Sequence, residues 1–138
     1  MKPLKIAVAG LGTVGAGLVK LLSDNAGLIA ARAGRPLHVT AVSARDRDRD
    51  RGVAIGAAIA WYDDAVKMAA EADVDVVVEV IGGSAGIAKA VVETAIGRGL
   101  HVVTANKALL AHHGVALAAA AEARGVSLGF EAAVAGGI

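Results

Sequence analysis

The chain has 138 residues, a length that fits one domain, and 56% of them are hydrophobic while only 2% are aromatic, so its core must be built from Ala, Val, Leu and Ile. A net charge of +1 gives no electrostatic case for nucleic acid or an anionic membrane. The lack of cysteine excludes disulfides, thiolate metal sites and cysteine nucleophiles, and no apolar run approaches the ~20 residues that cross a bilayer.

Met1-Lys2-Pro3 leads straight into a strand pattern at Leu4–Ala9, so no signal peptide is expected and the cytoplasm is the default location. Gly10-Leu11-Gly12-Thr13-Val14-Gly15 follows, and then a helical pattern from Val14 to about Ser23 with Val14, Leu18, Leu21 and Leu22 on one face. A GxGxxG stretch between strand and helix has a mechanism. Gly10 permits the tight turn, Gly12 lets the backbone approach a pyrophosphate, and Gly15 lets the helix pack against the sheet. The helix N-terminus then offers unpaired N–H groups to phosphates. The competing reading is an ordinary strand-to-helix turn.

Leu28–Ala33 adds a short helical segment, closed by Gly34 and Pro36, and Leu37–Val42 is the second strand. A site specific for NAD would place Asp or Glu at its tip, but the sequence there is Ser43-Ala44-Arg45. Ser43 can donate to a phosphate oxygen and Arg45 can grip one bidentately, which favours NADP with NAD use possible. Against this, Arg45 also begins the alternating Arg–Asp run to Arg51, which is expected to be solvated, and Asp46 can turn inward to a ribose. Trp61-Tyr62 is expected to pack at an edge, and Asp63 or Asp64 to cap a short helix over Ala65–Ala72.

Val74–Ile81, apolar except for Asp75 and Glu79, reads as a strand covered on both faces. Gly82-Gly83-Ser84 is a second glycine turn: Gly82 and Gly83 leave room for a nicotinamide or ribose, or the turn is plain and Ser84 caps the helix Ala85–Gly97. Leu100–Val103 is a strand. Thr104-Ala105-Asn106-Lys107 opens an alanine-rich helix to about Arg124, with an interruption possible at Gly114, and Val126–Phe130 is the last strand. Thr104 and Lys107 join the candidate cofactor contacts. Lys107, just past a strand end, can bind a carboxylate or give a proton to a carbonyl oxygen, or be a surface lysine. His101, His112 and His113 have no third ligand in range and read as structural or exposed. After the last strand, Glu131 precedes a run of small residues that either gathers backbone carbonyls around a hard cation or is a simple linker.

The alternation of strands and helices predicts an α/β fold: a Rossmann-type doubly wound parallel sheet in three α-β-α layers. Gly10–Gly15, Ser43–Arg45, Gly82–Ser84, Thr104–Lys107 and the segment from Glu131 all follow strand ends, so they are expected on one edge of the sheet.

Three segments in order, Gly10–Gly15, Val103–Ala111 and Phe130–Ile138, resemble homoserine dehydrogenase, whose members reduce aspartate semialdehyde to homoserine with NAD(P)H on the way to threonine and methionine. The first is shared by many dehydrogenases, and the other two are far more specific. The resemblance implies that Thr13, Val14 and Arg45 contact the cofactor and that Lys107 stands between cofactor and substrate as the catalytic candidate. It further implies that Glu131, with the carbonyls of Val134, Gly136 and Ile138, forms a sodium site in the full-length enzyme. It places the substrate-binding, dimer-forming domain beyond Ile138, so residues 1–138 are expected to be an NAD(P)-binding domain that binds cofactor without turnover. The parent is expected to be a homo-oligomer acting on a small molecule. The alternatives are the cofactor domain of an aspartate- or sugar-type two-domain dehydrogenase, and a nucleotide-sensing module without catalysis.

Overall fold

A computed structural model describes residues 2–53, 55–81 and 86–130. The elements run β1 (Leu4–Ala9), α1 (Thr13–Asp24), α2 (Ala26–Ala33), β2 (Leu37–Ser43), β3 (Ala60–Tyr62), α3 (Ala65–Glu71), β4 (Val76–Glu79), α4 (Ile87–Gly97), β5 (His101–Thr104), α5 (Lys107–Arg124) and β6 (Leu128–Gly129). The sheet order is β3-β2-β1-β4-β5-β6 and every pairing is parallel. The sequence order therefore reverses between β1 and β4, the switch point where open α/β sheets bind ligands. The expected doubly wound sheet is the fold observed.

Helices cover both faces. Met68, Val91, Val92, Leu109 and Leu117 from α3, α4 and α5 bury one face over Ala7, Ala41, Val77 and Val102. On the other, Val19 of α1 and Leu11 meet Ile6, Val8 and Val42. That second layer is narrower. Val76 and Val78 of β4 are only half-buried on it, and Val103 of β5 is exposed, so β4 is less completely covered than its apolar run suggests.

Local chemistry explains the element ends. Asp64 Oδ1 accepts the N–H groups of Val66 and Lys67 and starts α3. Asn106 Oδ1 accepts the Leu109 N–H at 2.9 Å and starts α5. Gly34 and Gly125 end α2 and α5 in the left-handed conformation. The helix α5 is continuous through Gly114, a position that costs only about 1 kcal/mol relative to Ala.

The buried face of α1 differs from the expected one. Gly15, Ala16 and Val19 are buried and Leu18 and Leu22 half-buried, whereas Val14 is 61% exposed and Leu21 also faces out. The cause is close packing: the smallest residues turn toward the sheet because only they let the helix axis come near it. In the β1–β2 pairing, Ile6 faces Val39 and Ala7 faces Ala41. Thr40 is the extra residue of this bulge, and its buried hydroxyl has no partner among the described residues. The shift leaves Ala9 level with Ser43.

Candidate functional site

Gly10 carries β1 into the turn with φ +102, and its N–H donates to the Ser43 carbonyl at 2.9 Å. A Cβ there would also crowd the Val80 carbonyl at 3.1 Å. A Cβ on Gly15 would collide with the Gly10 carbonyl. Turn and helix are thus locked by two positions that admit no side chain. Gly12 is different: a Cβ on it meets no protein atom within 4 Å, because it faces open space.

That space is a cleft of about 780 Å³, lined by the turn residues Gly10, Leu11 and Gly12, the β2 tip, and Ile81 and Ile87 across from it. At the β2 tip Ser43 is buried, with Ala44 and the exposed Arg45 beside it. Arg49 and Arg51 add two more guanidinium groups to the wall. A smaller hollow of about 440 Å³ adjoins it past Thr13, walled by Lys20, Arg49 and Arg51. Gly12 is the N-cap of α1, and no side chain caps this helix end. Free helix-end N–H groups, a hydroxyl and clustered guanidinium groups form a donor set for phosphates. An apolar cleft floor beside them suits a flat ring. The residues fit a dinucleotide.

The Arg–Asp run is exposed from Arg45 to Asp50, as expected, and it also folds back on itself. Asp46 takes φ +50 and turns the chain, with Arg49 N–H donating to its carbonyl at 3.2 Å. Arg51 folds back, donating to the carbonyls of Arg45 and Arg49. Its guanidinium lies 5.3 Å from the centre of the Trp61 ring, with Arg47 at 5.7 Å. Trp61 Nε1–H donates to Asp63 Oδ1 at 3.0 Å. The expected edge packing of Trp61 is therefore a platform on edge strand β3 that holds two arginines. Asp46 lines neither hollow, so the inward turn toward a ribose is not seen.

The strand order brings Gly10–Gly15, Ser43–Arg45 and Thr104–Lys107 to one edge, as expected for residues that follow β1, β2 and β5. Gly10, Gly12, Ser43, Ala44 and Arg45 line the cleft, and Thr13 lines the adjoining hollow. Gly15 lies behind it, and Val14 lines neither. Thr104, grouped with the cofactor contacts on sequence grounds, is fully buried, and its hydroxyl donates to Glu79 Oε1 at 2.7 Å. Lys107 is exposed on the first turn of α5 and does not line the cleft. Gly82, Gly83, Glu131, Val134, Gly136 and Ile138 lie outside the described residues. Among the described residues no His, Asp or Glu cluster could hold a metal ion. Sequence reasoning passed over Arg49 and Arg51 as cleft residues and Glu79 as a buried partner of Thr104. The arginines carried a signal, since a run of alternating charge follows a strand tip. Glu79 carried a fainter one, a carboxyl inside an apolar run.

Residues 10–131 match the family model described as homoserine dehydrogenase, NAD binding domain. The homoserine dehydrogenase of Neisseria gonorrhoeae is 46% identical over all 138 residues, and that of Pseudomonas aeruginosa 47% identical over the same length. In both cases the match covers 31% of the relative, so the chain spans about a third of the length of the curated relatives it matches. The crystal structure of a homoserine dehydrogenase from Thiobacillus denitrificans superposes with a TM-score of 0.87 at 41% identity, over 96% of this chain and 30% of that one. A cleft built for a dinucleotide and a family match over nearly the whole chain agree: this chain belongs to the homoserine dehydrogenase family, as its NAD-binding domain.

Proposed function

We propose that this domain holds NADP(H) for the reduction of aspartate semialdehyde to homoserine. The observation that carries the reading is the β2 tip. Ser43, Arg45, Arg49 and Arg51 line the cleft at the β2 tip, the end of the sheet from which an adenosine ribose is read; the tip itself carries no carboxylate, and Asp63 and Asp64 line the cleft beyond it. A 2′-phosphate there meets hydrogen-bond donors and positive charge, whereas the 2′-hydroxyl of NAD meets no carboxylate at the tip. NAD remains usable through the contacts of the glycine turn, which both cofactors share.

The nicotinamide ring, when bound, supplies a hydride to the aldehyde carbon, and the protein supplies binding, orientation and polarisation. For the product to be an alcohol, the aldehyde oxygen would have to gain a proton. Lys107 is the residue of this chain assigned to the oxygen, as proton donor or as the charge that orients the aldehyde. Its place supports this: a cation in the first turn of a helix is disfavoured by up to ~1 kcal/mol, so a task outside the helix accounts for it. A sodium ion on Glu131 and the carbonyls of Val134, Gly136 and Ile138 belongs to the same proposal, as do a homo-oligomeric parent, a small-molecule substrate and a cytoplasmic setting.

Side-by-side titration with NADPH and NADH tests the cofactor reading. NADPH is expected to bind more tightly, and equal binding would remove the role of the β2 tip. The 138-residue chain is expected to bind without oxidising homoserine, and measurable turnover by it would overturn that part. In the full-length enzyme, Lys107→Ala is expected to depress turnover with little change in melting temperature.

A further inference from the structure

Glu79 lines no part of the cleft, yet it joins Ile81 of the cleft wall to the segment that follows β5. Among the described residues it is the one ionisable side chain that is fully buried. Both of its carboxyl oxygens are engaged. Oε2 accepts the Ile81 N–H at 2.6 Å, and Oε1 accepts the Thr104 hydroxyl at 2.7 Å. The Thr104 oxygen accepts the Asn106 N–H at 3.1 Å, and Asn106 Oδ1 accepts the Leu109 N–H at 2.9 Å. The main chain adds a parallel link, since the Ala105 N–H donates to the Glu79 carbonyl at 3.2 Å. One side chain on β4 thus fixes the peptide at Ile81, which walls the cleft, and through Thr104 and Asn106 the turn of α5 that bears Lys107.

Packing does not call for a carboxyl here. β4 and β5 already pair from Val76 with His101 to Glu79 with Thr104. Burying an ionisable group costs several kcal/mol unless its hydrogen bonds are met, and an apolar residue would fill the space without that cost. What an apolar residue cannot do is bind Ile81 and Thr104 at once.

We infer that Glu79 is a positioning residue that sets Ile81 and Lys107 relative to each other, so that the nicotinamide half of the dinucleotide meets a preformed surface. This rests on the dinucleotide reading above. With this strand order the adenosine half lies toward β2, so the other half falls toward β4. Removing the Glu79 link acts on one half only.

Two probes separate the halves: NADPH, and adenosine 2′,5′-bisphosphate, which carries only the adenosine side. The variants are Glu79→Gln and Thr104→Val, with Thr104→Ser as the conservative counterpart, each made in the full-length protein and checked by thermal melting. Glu79→Gln and Thr104→Val are expected to weaken NADPH about tenfold and adenosine 2′,5′-bisphosphate less than about twofold, the former being the scale of one buried hydrogen bond lost. Thr104→Ser is expected to keep NADPH affinity. Equal loss of both probes, or unchanged NADPH affinity, overturns the role of Glu79. If Glu79→Gln does not fold, the Thr104→Val and Thr104→Ser pair decides by the same criteria. An unaltered protein that binds neither probe sinks the dinucleotide reading, and the role of Glu79 falls with it, an outcome distinct from loss in the variants alone.

Discussion

The two sides of the glycine turn are built in opposite ways. On the β2 side, Arg45 and Arg49 are exposed and sit on an irregular loop, and Arg47 and Arg51 lie against the Trp61 ring. On the β4–β5 side, Glu79, Thr104 and Asn106 are buried and hydrogen-bonded to one another or to the backbone. Long charged side chains attract an anion without needing a single geometry, and salt screens them. A dehydrated network gives little attraction at a distance but fixes position. The contrast suits a ligand whose phosphates need only be captured and whose reactive ring must be placed.

The largest effect should come from breaking the hinge that both sides share. Gly15→Ala puts a methyl group into the Gly10 carbonyl, and overpacking of this kind costs about 1–3 kcal/mol or more. Because Gly10 also touches Ser43 and Val80, NADPH and NADH affinity should both collapse and the melting temperature should fall. A titration with retained affinity for either cofactor would contradict this account of the turn.

Arg45→Ala addresses the β2 side alone. It should weaken NADPH by about 1.5–3 kcal/mol, the range of a charged hydrogen bond, leave NADH nearly unchanged, and leave the melting temperature alone because Arg45 is exposed. Equal loss for both cofactors would return Arg45 to the solvated run. Arg51→Lys is a finer cut. Lysine keeps the charge but cannot bridge the Arg45 and Arg49 carbonyls while lying over Trp61. NADPH binding should weaken only a few-fold, on the ~0.5–1 kcal/mol scale of an exposed cation–π contact, and should become more salt-dependent in an ionic-strength series.

The smallest effect is expected at the opposite end of the sheet, away from both sides. Lys5 Nζ lies 2.7 Å from Asp73 Oδ2, and this ammonium holds the Asp73 carboxyl below the usual carboxylate range. A group with a lowered folded-state pKa contributes its stability above the unfolded pKa and loses it as pH falls through the folded value. Asp73 is exposed, so Asp73→Asn should barely change melting at neutral pH. Any difference from the unaltered protein should vanish in strong acid, and neither cofactor titration should move.

The regular part of the fold was legible because it rests on local pattern. β1 spans Leu4–Ala9 as read, Asp64 and Asn106 cap their helices, and Gly34 and Gly125 close theirs. What escaped depends on contacts distant in sequence. Helical spacing of apolar residues puts Val14 and Leu21 on the packed face of α1, but close approach to the sheet selects Gly15 and Ala16 over them. β3 has three residues, too few to show a period, and exists because Ala60–Tyr62 pairs with β2. The Arg–Asp run is exposed as its charges imply, but nothing near it in sequence shows that Arg51 returns to Trp61. Nothing near Glu79 in sequence points to its bond with Thr104, which stands 25 residues away. The glycine turn and the β2 tip were readable because their chemistry is contained in a few consecutive residues.

Gly12 leads to a different kind of conclusion. Gly10 and Gly15 are held to glycine by the protein's own backbone, so selection for a folded chain alone would preserve them. Gly12 has empty space where a methyl group would go, and nothing in the unliganded chain forbids an alanine there. On the dinucleotide reading, the demand for glycine at that position comes from the pyrophosphate that the backbone must approach. In a lineage that kept the fold but gave up its nucleotide, Gly12 would be free to drift while its two neighbours stayed, and the loss of function would be written in the sequence at that one place first.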